Sequence, residues 1–182
     1  MVEPRLIEQV LDSPPGRDVV NAPITQVVLL RDPESAGQLV GYLGSVGNRQ
    51  RNALAVLPFY DERALMPLLQ ACVAQSPAVK ALVNPALYSI LHELPAPRIR
   101  ELCGAAREPL LALLEERTVV RPERSGPVEV DLLGRVCDDA FIVLKELLEP
   151  DADLSTLRSM TEAERDEEIK RFMQGLPGAA IA

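Results

Sequence analysis

Three times along this 182-residue chain an apolar run of helical spacing halts at a polar residue followed by proline, then starts again: Asp32-Pro33, Ser76-Pro77 and Glu108-Pro109. An Asp or Ser at such a point can accept hydrogen bonds from the free N–H groups of a new helix. Proline has no N–H to leave unsatisfied in the first turn. A chain punctuated this way is confined to short helices joined by tight connections. Between the breaks the apolar residues recur at i, i+3 and i+4, the period of one helix face.

The side chains available for a core agree with this reading. Of the residues, 47% are hydrophobic but only 3% aromatic, and there is no Trp, so Leu, Ala, Val and Ile must do the packing. Leu and Ala favour helix, and small Ala faces let helices approach closely. The formal net charge of −8 opposes binding to nucleic-acid phosphates or anionic lipid as a main activity. No apolar run is long enough to span a bilayer, and Met1 to Arg5 lacks the apolar stretch of a signal peptide. The default expectation is a soluble cytoplasmic protein. Cys72, Cys103 and Cys137 are odd in number and widely spaced, which predicts reduced, buried thiols rather than a disulfide framework.

The spacing predicts a short helix within residues 1–12, ended by Ser13-Pro14-Pro15-Gly16. Ile24 to Leu30 suits strand or helix; Ile24, Val27, Val28 and Arg31 fit helical spacing, so helix is preferred. Further helices are expected from Asp32 to about Val46, from Asn48 to Phe59, from Asp61 to about Gln75, and after Ser76-Pro77, with a kink or break at Asn84-Pro85. Two more carry Ile99, Leu102 and Cys103, then Leu110, Leu111 and Leu114. Residues 117–127 read as a loop. The longest helix is expected over Val128 to Glu149, with Asp138 and Asp139 on its solvent face and Arg135 paired with Asp139 at i,i+4. Thr161-Glu162-Ala163-Glu164 is a capping box opening a charged helix. The only apolar strip of that helix is Ile169, Phe172 and Met173, so it should dock weakly, and the last residues should be mobile. The division expected is a helical-hairpin domain over 1–150 and a charged helix with its tail over 151–182.

The middle repeat runs Leu65-Met66-Pro67-Leu68-Leu69, a helix, Ser76-Pro77-Ala78-Val79-Lys80, then Ala86-Leu87 and Ile90-Leu91. This resembles a HEAT repeat, or the related armadillo repeat, in which a Val-Arg or Val-Lys pair opens the second helix of each hairpin. The resemblance covers about residues 23–116. It implies stacked antiparallel hairpins in a short α-solenoid, and hence a binding scaffold. The alternative all-α architecture is an irregular helical bundle.

No motif for a phosphate loop, dinucleotide fold or zinc protease is present, and His92 is the single histidine. No cofactor or metal is implied, and no catalytic group stands out. The expected function is therefore non-catalytic: a protein-interaction module, adaptor or regulatory subunit. The alternative is a bundle enclosing a small apolar ligand in an internal pocket. For the interaction surface, Lys80, Asn84, Tyr88 and His92 are spaced by four and share one helix face. Tyr42 would extend that face if its helix is a neighbour. Arg117, Arg121 and Arg124 form a second candidate, because arginine is a common interface anchor.

Overall fold

A computed structural model describes residues 2–120 and 134–176, and these are all-α. Among them the only extended pairing is an isolated antiparallel bridge between Val119 and Arg135. The chain divides into two compact units, Met1–Glu93 and Leu94–Ala182.

The first unit opens with α1 (Pro4–Leu11) and α2 (Arg17–Asn21), both packed on α4 (Asn48–Val56). Asn52 of α4 reaches the end of α1: its Nδ2 donates to the carbonyls of Leu11 and Ser13, each at 2.9 Å. That satisfies carbonyls which a helix C-terminus otherwise leaves orphaned. The ambiguous run after Pro23 is helical, but as a π-helix over Thr25–Leu29, with Leu30 N–H donating to the Thr25 carbonyl at 2.9 Å. An i→i+5 turn holds one residue more than an α-turn. The buried face therefore shifts from the expected one: Thr25 and Leu29 are buried and Val27 is 57% exposed.

α3 (Glu34–Val40) begins as expected, with Asp32 Oδ1 accepting from the Glu34 N–H. It ends six residues before Val46. Bonds from Tyr42, Leu43 and Ser45 to residues three back tighten the chain into turns, where Gly41 and Gly44 are poor helix formers. After α4 come 3₁₀ turns at Leu57–Phe59 and Glu62–Ala64, then α5 (Leu65–Val73) and α6 (Pro77–Leu91). Asp61 caps the second turn through the Arg63 N–H, whereas Ser76 makes no side-chain cap and Pro77 alone marks the start of α6. α3 and α5 pack side by side, α5 also meets α6, and the Leu57–Phe59 turn lies along α6. The core between them is Leu39, Leu43, Val56, Leu57, Leu68, Leu69, Leu87 and Leu91.

The α3–α5 approach is close because Gly37 has no side chain: a Cβ there would stand 2.9 Å from the backbone oxygen of Pro67. Gly37→Ala gains about 1 kcal/mol in helix propensity, but forcing two backbones apart in a packed core costs about 1–3 kcal/mol. Overpacking should win, giving a lower midpoint in urea denaturation. An unchanged or raised midpoint would show that α3 can slide freely on α5.

The second unit contains α7 (Ala96–Ala105), α8 (Arg107–Leu114), α9 (Val136–Leu148), α10 (Ser155–Ser159) and α11 (Glu162–Gly175). α7 and α8 both pack on α9. α9 begins at Val136, later than expected: Gly134 takes φ +100 and Arg135 is extended in its bridge to Val119. The left-handed glycine turns the chain sharply into the helix. The expected helix over 128–133, Arg121 and Arg124, and the final residues lie outside the described part. All three cysteines are free and buried, as the sequence predicts, and burial pushes their thiols up, to about 12 for Cys72 and about 11 for Cys103 and Cys137.

Candidate functional site

The stripe of four polar residues on α6 is not a surface stripe. Lys80 is 8% and Asn84 4% exposed, while Tyr88 is 37% exposed and His92 lies open at the C-cap. α6 is packed by α5 and by the Leu57–Phe59 turn, so its buried arc is wide. Positions 80 and 84 fall inside that arc, near enough to α5 for the Lys80 charge to act on the buried Cys72 thiol. Asn84 is the more consequential case, because neither its Oδ1 nor its Nδ2 has a hydrogen-bond partner. A buried amide without partners costs about 1–3 kcal/mol. Asn84→Leu removes that cost, so the unfolding free energy should rise by a similar amount. A fall on denaturation would show that the amide is satisfied in solution.

The solvent arc of α6 is rotated from the expected stripe. Pro85, Ala78, Tyr88 and His92 are exposed, and Ala81, Leu82 and Ser89 half-buried. At 100° per residue these seven positions span about 120° of the helix, with Pro85 at the centre. No residue in the arc is charged, although 25% of the chain is; Lys80, the one charged residue of α6, points into the fold. Pro85 does not break the helix. Its missing N–H leaves the Ala81 carbonyl without the usual partner, and both lie on the accessible side, where the lost bond is cheapest.

Tyr88 and His92 stack at the C-terminal end of the arc, with ring centroids 5.6 Å apart and planes 13° from parallel. His92 Nδ1 donates to the Ser89 carbonyl at 2.7 Å, which turns Nε2 outward. The pair is thus held in place by contacts within α6 and its C-cap. Phe59, 59% exposed, ends the turn that lies along α6. Tyr42 is half-buried beneath Arg49, whose guanidinium is 5.9 Å from its ring centroid and is itself paired with Asp12 at 2.6 Å. The turns after α3 meet α6 at Val79, on its buried side, so Tyr42 does not extend the exposed arc.

Of the arginine candidates, Arg117 is in an ion pair with Asp166. That contact belongs to a cluster that sequence reasoning misplaced. Asp138 is fully buried and Asp139 6% exposed, so neither lies on a solvent face. Arg135 grips Asp138, with Nε and Nη2 at 2.8 and 2.7 Å from the two carboxylate oxygens. Arg165 of α11 adds Nε at 3.0 Å to the same carboxylate and gives Nη1 to the Met160 carbonyl at 2.6 Å. Arg135 Nη1 also lies 3.1 Å from Asp166 and 3.7 Å from Glu162. Three guanidinium groups and three carboxylates thus neutralise one another. The hydrogen bonds that Arg135 donates to Asp138 raise the Arg135 pKa. Burial pushes Asp166 up, but Arg117 and Arg135 together outweigh it and hold it below the ordinary carboxylate range.

α11 is consequently more than a charged helix on a thin apolar strip. Its Thr161–Glu164 capping box forms as expected. Ile169 and Leu176 are buried, Phe172 packs edge-on against Phe141 at 5.5 Å, and Arg107 donates to the Met173 carbonyl at 2.7 Å. Two concavities flank α11, one of about 390 Å³ along Met160, Glu164 and Arg171 and one of about 250 Å³ beside Phe141, Lys145 and Phe172. Both are open to solvent and edged by charged side chains. Among the described residues no cluster of His, Cys, Asp and Glu is arranged to hold a metal, and no helix is long and apolar enough to cross a membrane. No family model, curated protein or solved structure matches the chain.

Proposed function

We propose that the chain is a non-catalytic protein-interaction module that engages a partner protein through the uncharged arc of α6. The observation that carries this reading is the composition of the arc. A solvent face normally carries the charges of an amphipathic helix, and this one has alanine, leucine, proline and a pre-stacked Tyr–His pair instead. An apolar strip left open on a strongly charged molecule is what an interface looks like before it is covered. Tyr88 suits an anchor, since tyrosine brings a large contact area at low entropic cost. The side-by-side packing of α3 with α5, of α5 with α6, and of α6 with the Leu57–Phe59 turn supports the reading of about residues 23–116 as stacked hairpins of the HEAT or armadillo kind. The rival reading, a small apolar ligand held inside a bundle, draws no support from clefts that are open and rimmed with charge.

Tyr88→Ala tests the proposal. Loss of a central tyrosine anchor should weaken partner binding by about 2 kcal/mol, roughly thirty-fold. Fold stability should change by only about 0.5–1 kcal/mol, given the exposure and the single stacked contact. A photo-crosslinking phenylalanine analogue at position 88 should capture the partner in native extract, and added wild-type chain should compete. Unchanged affinity of Tyr88→Ala for a captured partner would move the interface elsewhere.

A further inference from the structure

The exposed arc of α6 is graded in size along its length. Ala78, Ala81 and the half-buried Leu82 occupy the first half, Tyr88, His92 and the half-buried Ser89 the second, and Pro85 sits at the midpoint, equally far from Ala78 and His92. At 1.5 Å per residue the two ends stand about 10 Å either side of the proline. Resting on the interaction reading above, we propose that the partner is a second copy of this chain, with two α6 helices packed antiparallel about a twofold axis at Pro85.

The geometry of an isologous contact carries the argument. Under a twofold axis at Pro85, Ala78 faces His92 of the second copy, Ala81 its Tyr88 and Leu82 its Ser89. Every large side chain then meets a smaller one, at both ends at once, which is the interdigitation a packed helix pair requires. A parallel pair would set Tyr88 against Tyr88 and Ala78 against Ala78, jammed at one end and hollow at the other. Charge points the same way. Two copies of a chain of net charge −8 repel each other over most of their surfaces. The α6 arc itself contains no carboxylate, and Glu93, just past it, lies 3.9 Å from His92 Nε2 at the end of the seam, so that repulsion is low along the arc. The area sets the strength: one helix face of about 22 Å buries less than the roughly 800 Å² per partner of a standard stable interface. The dimer is therefore weak and concentration-dependent.

The test uses the full chain. Sedimentation velocity over about a hundredfold range of concentration should show reversible monomer and dimer, as mass action requires. Ala81→Glu brings carboxylates into the seam and should weaken the dimer by at least about tenfold with an unchanged circular dichroism spectrum. Cysteine cross-linking under a mild oxidant reads the orientation, and the three native thiols, being buried, stay silent. Pro85→Cys, on the axis, should give a covalent dimer. Ala78→Cys alone should not, whereas the double variant Ala78→Cys/His92→Cys should. Cross-linking by Ala78→Cys alone as efficient as by Pro85→Cys would overturn the antiparallel arrangement. A monomer at every concentration, with no cross-link from any variant, would overturn the dimer. If the analogue at position 88 nonetheless captures a different protein, the interaction reading stands without self-association. If it captures nothing and no dimer forms, both fall.

Discussion

Asp138→Ala should be among the most damaging single changes in the described structure, lowering stability by about 3–5 kcal/mol, because it removes the shared buried acceptor of two buried cations. Arg135 and Arg165 side chains are 5% and 10% exposed, and the Asp138 carboxylate is the shared acceptor of both. Without it the two guanidinium groups face each other in a poorly solvated interior. Urea denaturation measures the loss, and hydrogen exchange should show it concentrated in α9 and α11. Replacing the triad together, as Arg135→Met, Asp138→Leu and Arg165→Leu, should restore most of the stability, since a buried ion cluster is often no better than apolar residues of similar volume. A single Asp138→Ala loss below about 1 kcal/mol would mean that water screens the cluster. Acid should act on the same place. Asp166 has its folded pKa below its unfolded value, so its contribution is complete above the ordinary aspartate range. It is lost as pH falls through the depressed folded value.

Phe141→Ala should cost about 3–5 kcal/mol, the usual loss for a large buried aromatic, through lost transfer energy and the cavity left behind. Phe141 is 1% exposed on α9 and meets the edge of Phe172. Phe172 itself is only half-buried, so Phe172→Ala should cost clearly less and leave α9 intact. Thermal denaturation of the two variants decides. Equal losses would mean that α11 is as deeply built into the unit as α9.

The helical architecture was legible because two local signals agreed, the apolar spacing and the proline restarts. Helix limits were less so, and for physical reasons. α3 stops at Val40 because two glycines permit tight turns, and α9 starts late because Gly134 adopts a conformation that only a glycine takes readily. The candidate site was half legible. Tyr88 and His92 are on the surface, but Lys80 and Asn84 are not. Polarity at an i+4 spacing marks a helix face without saying which neighbours cover it, and here α5 and the Leu57–Phe59 turn cover more than one side. The Arg135–Asp138–Arg165 cluster was invisible because its third member arrives from 27 residues away. The one local sign was an acid in the first turn of α9, which is equally common on a solvent face.

The π-helix at Thr25–Leu29 bears on how this chain can vary in length. An i→i+5 turn arises from one surplus residue in an otherwise α-helical segment. Deleting Val27, which is exposed, would let the segment relax to the shorter turn. The chain on its N-terminal side would rotate by about 100° relative to the chain on its C-terminal side. Thr25 and the Val19 carbonyl, which its hydroxyl reaches at 2.6 Å, would turn together, so the displacement falls on the packing of α1 and α2 against α4. Related chains one residue shorter at this point should therefore differ in the side chains with which those helices meet α4. Chains that keep that seam should keep the extra residue, because insertion and packing are inherited as one trait.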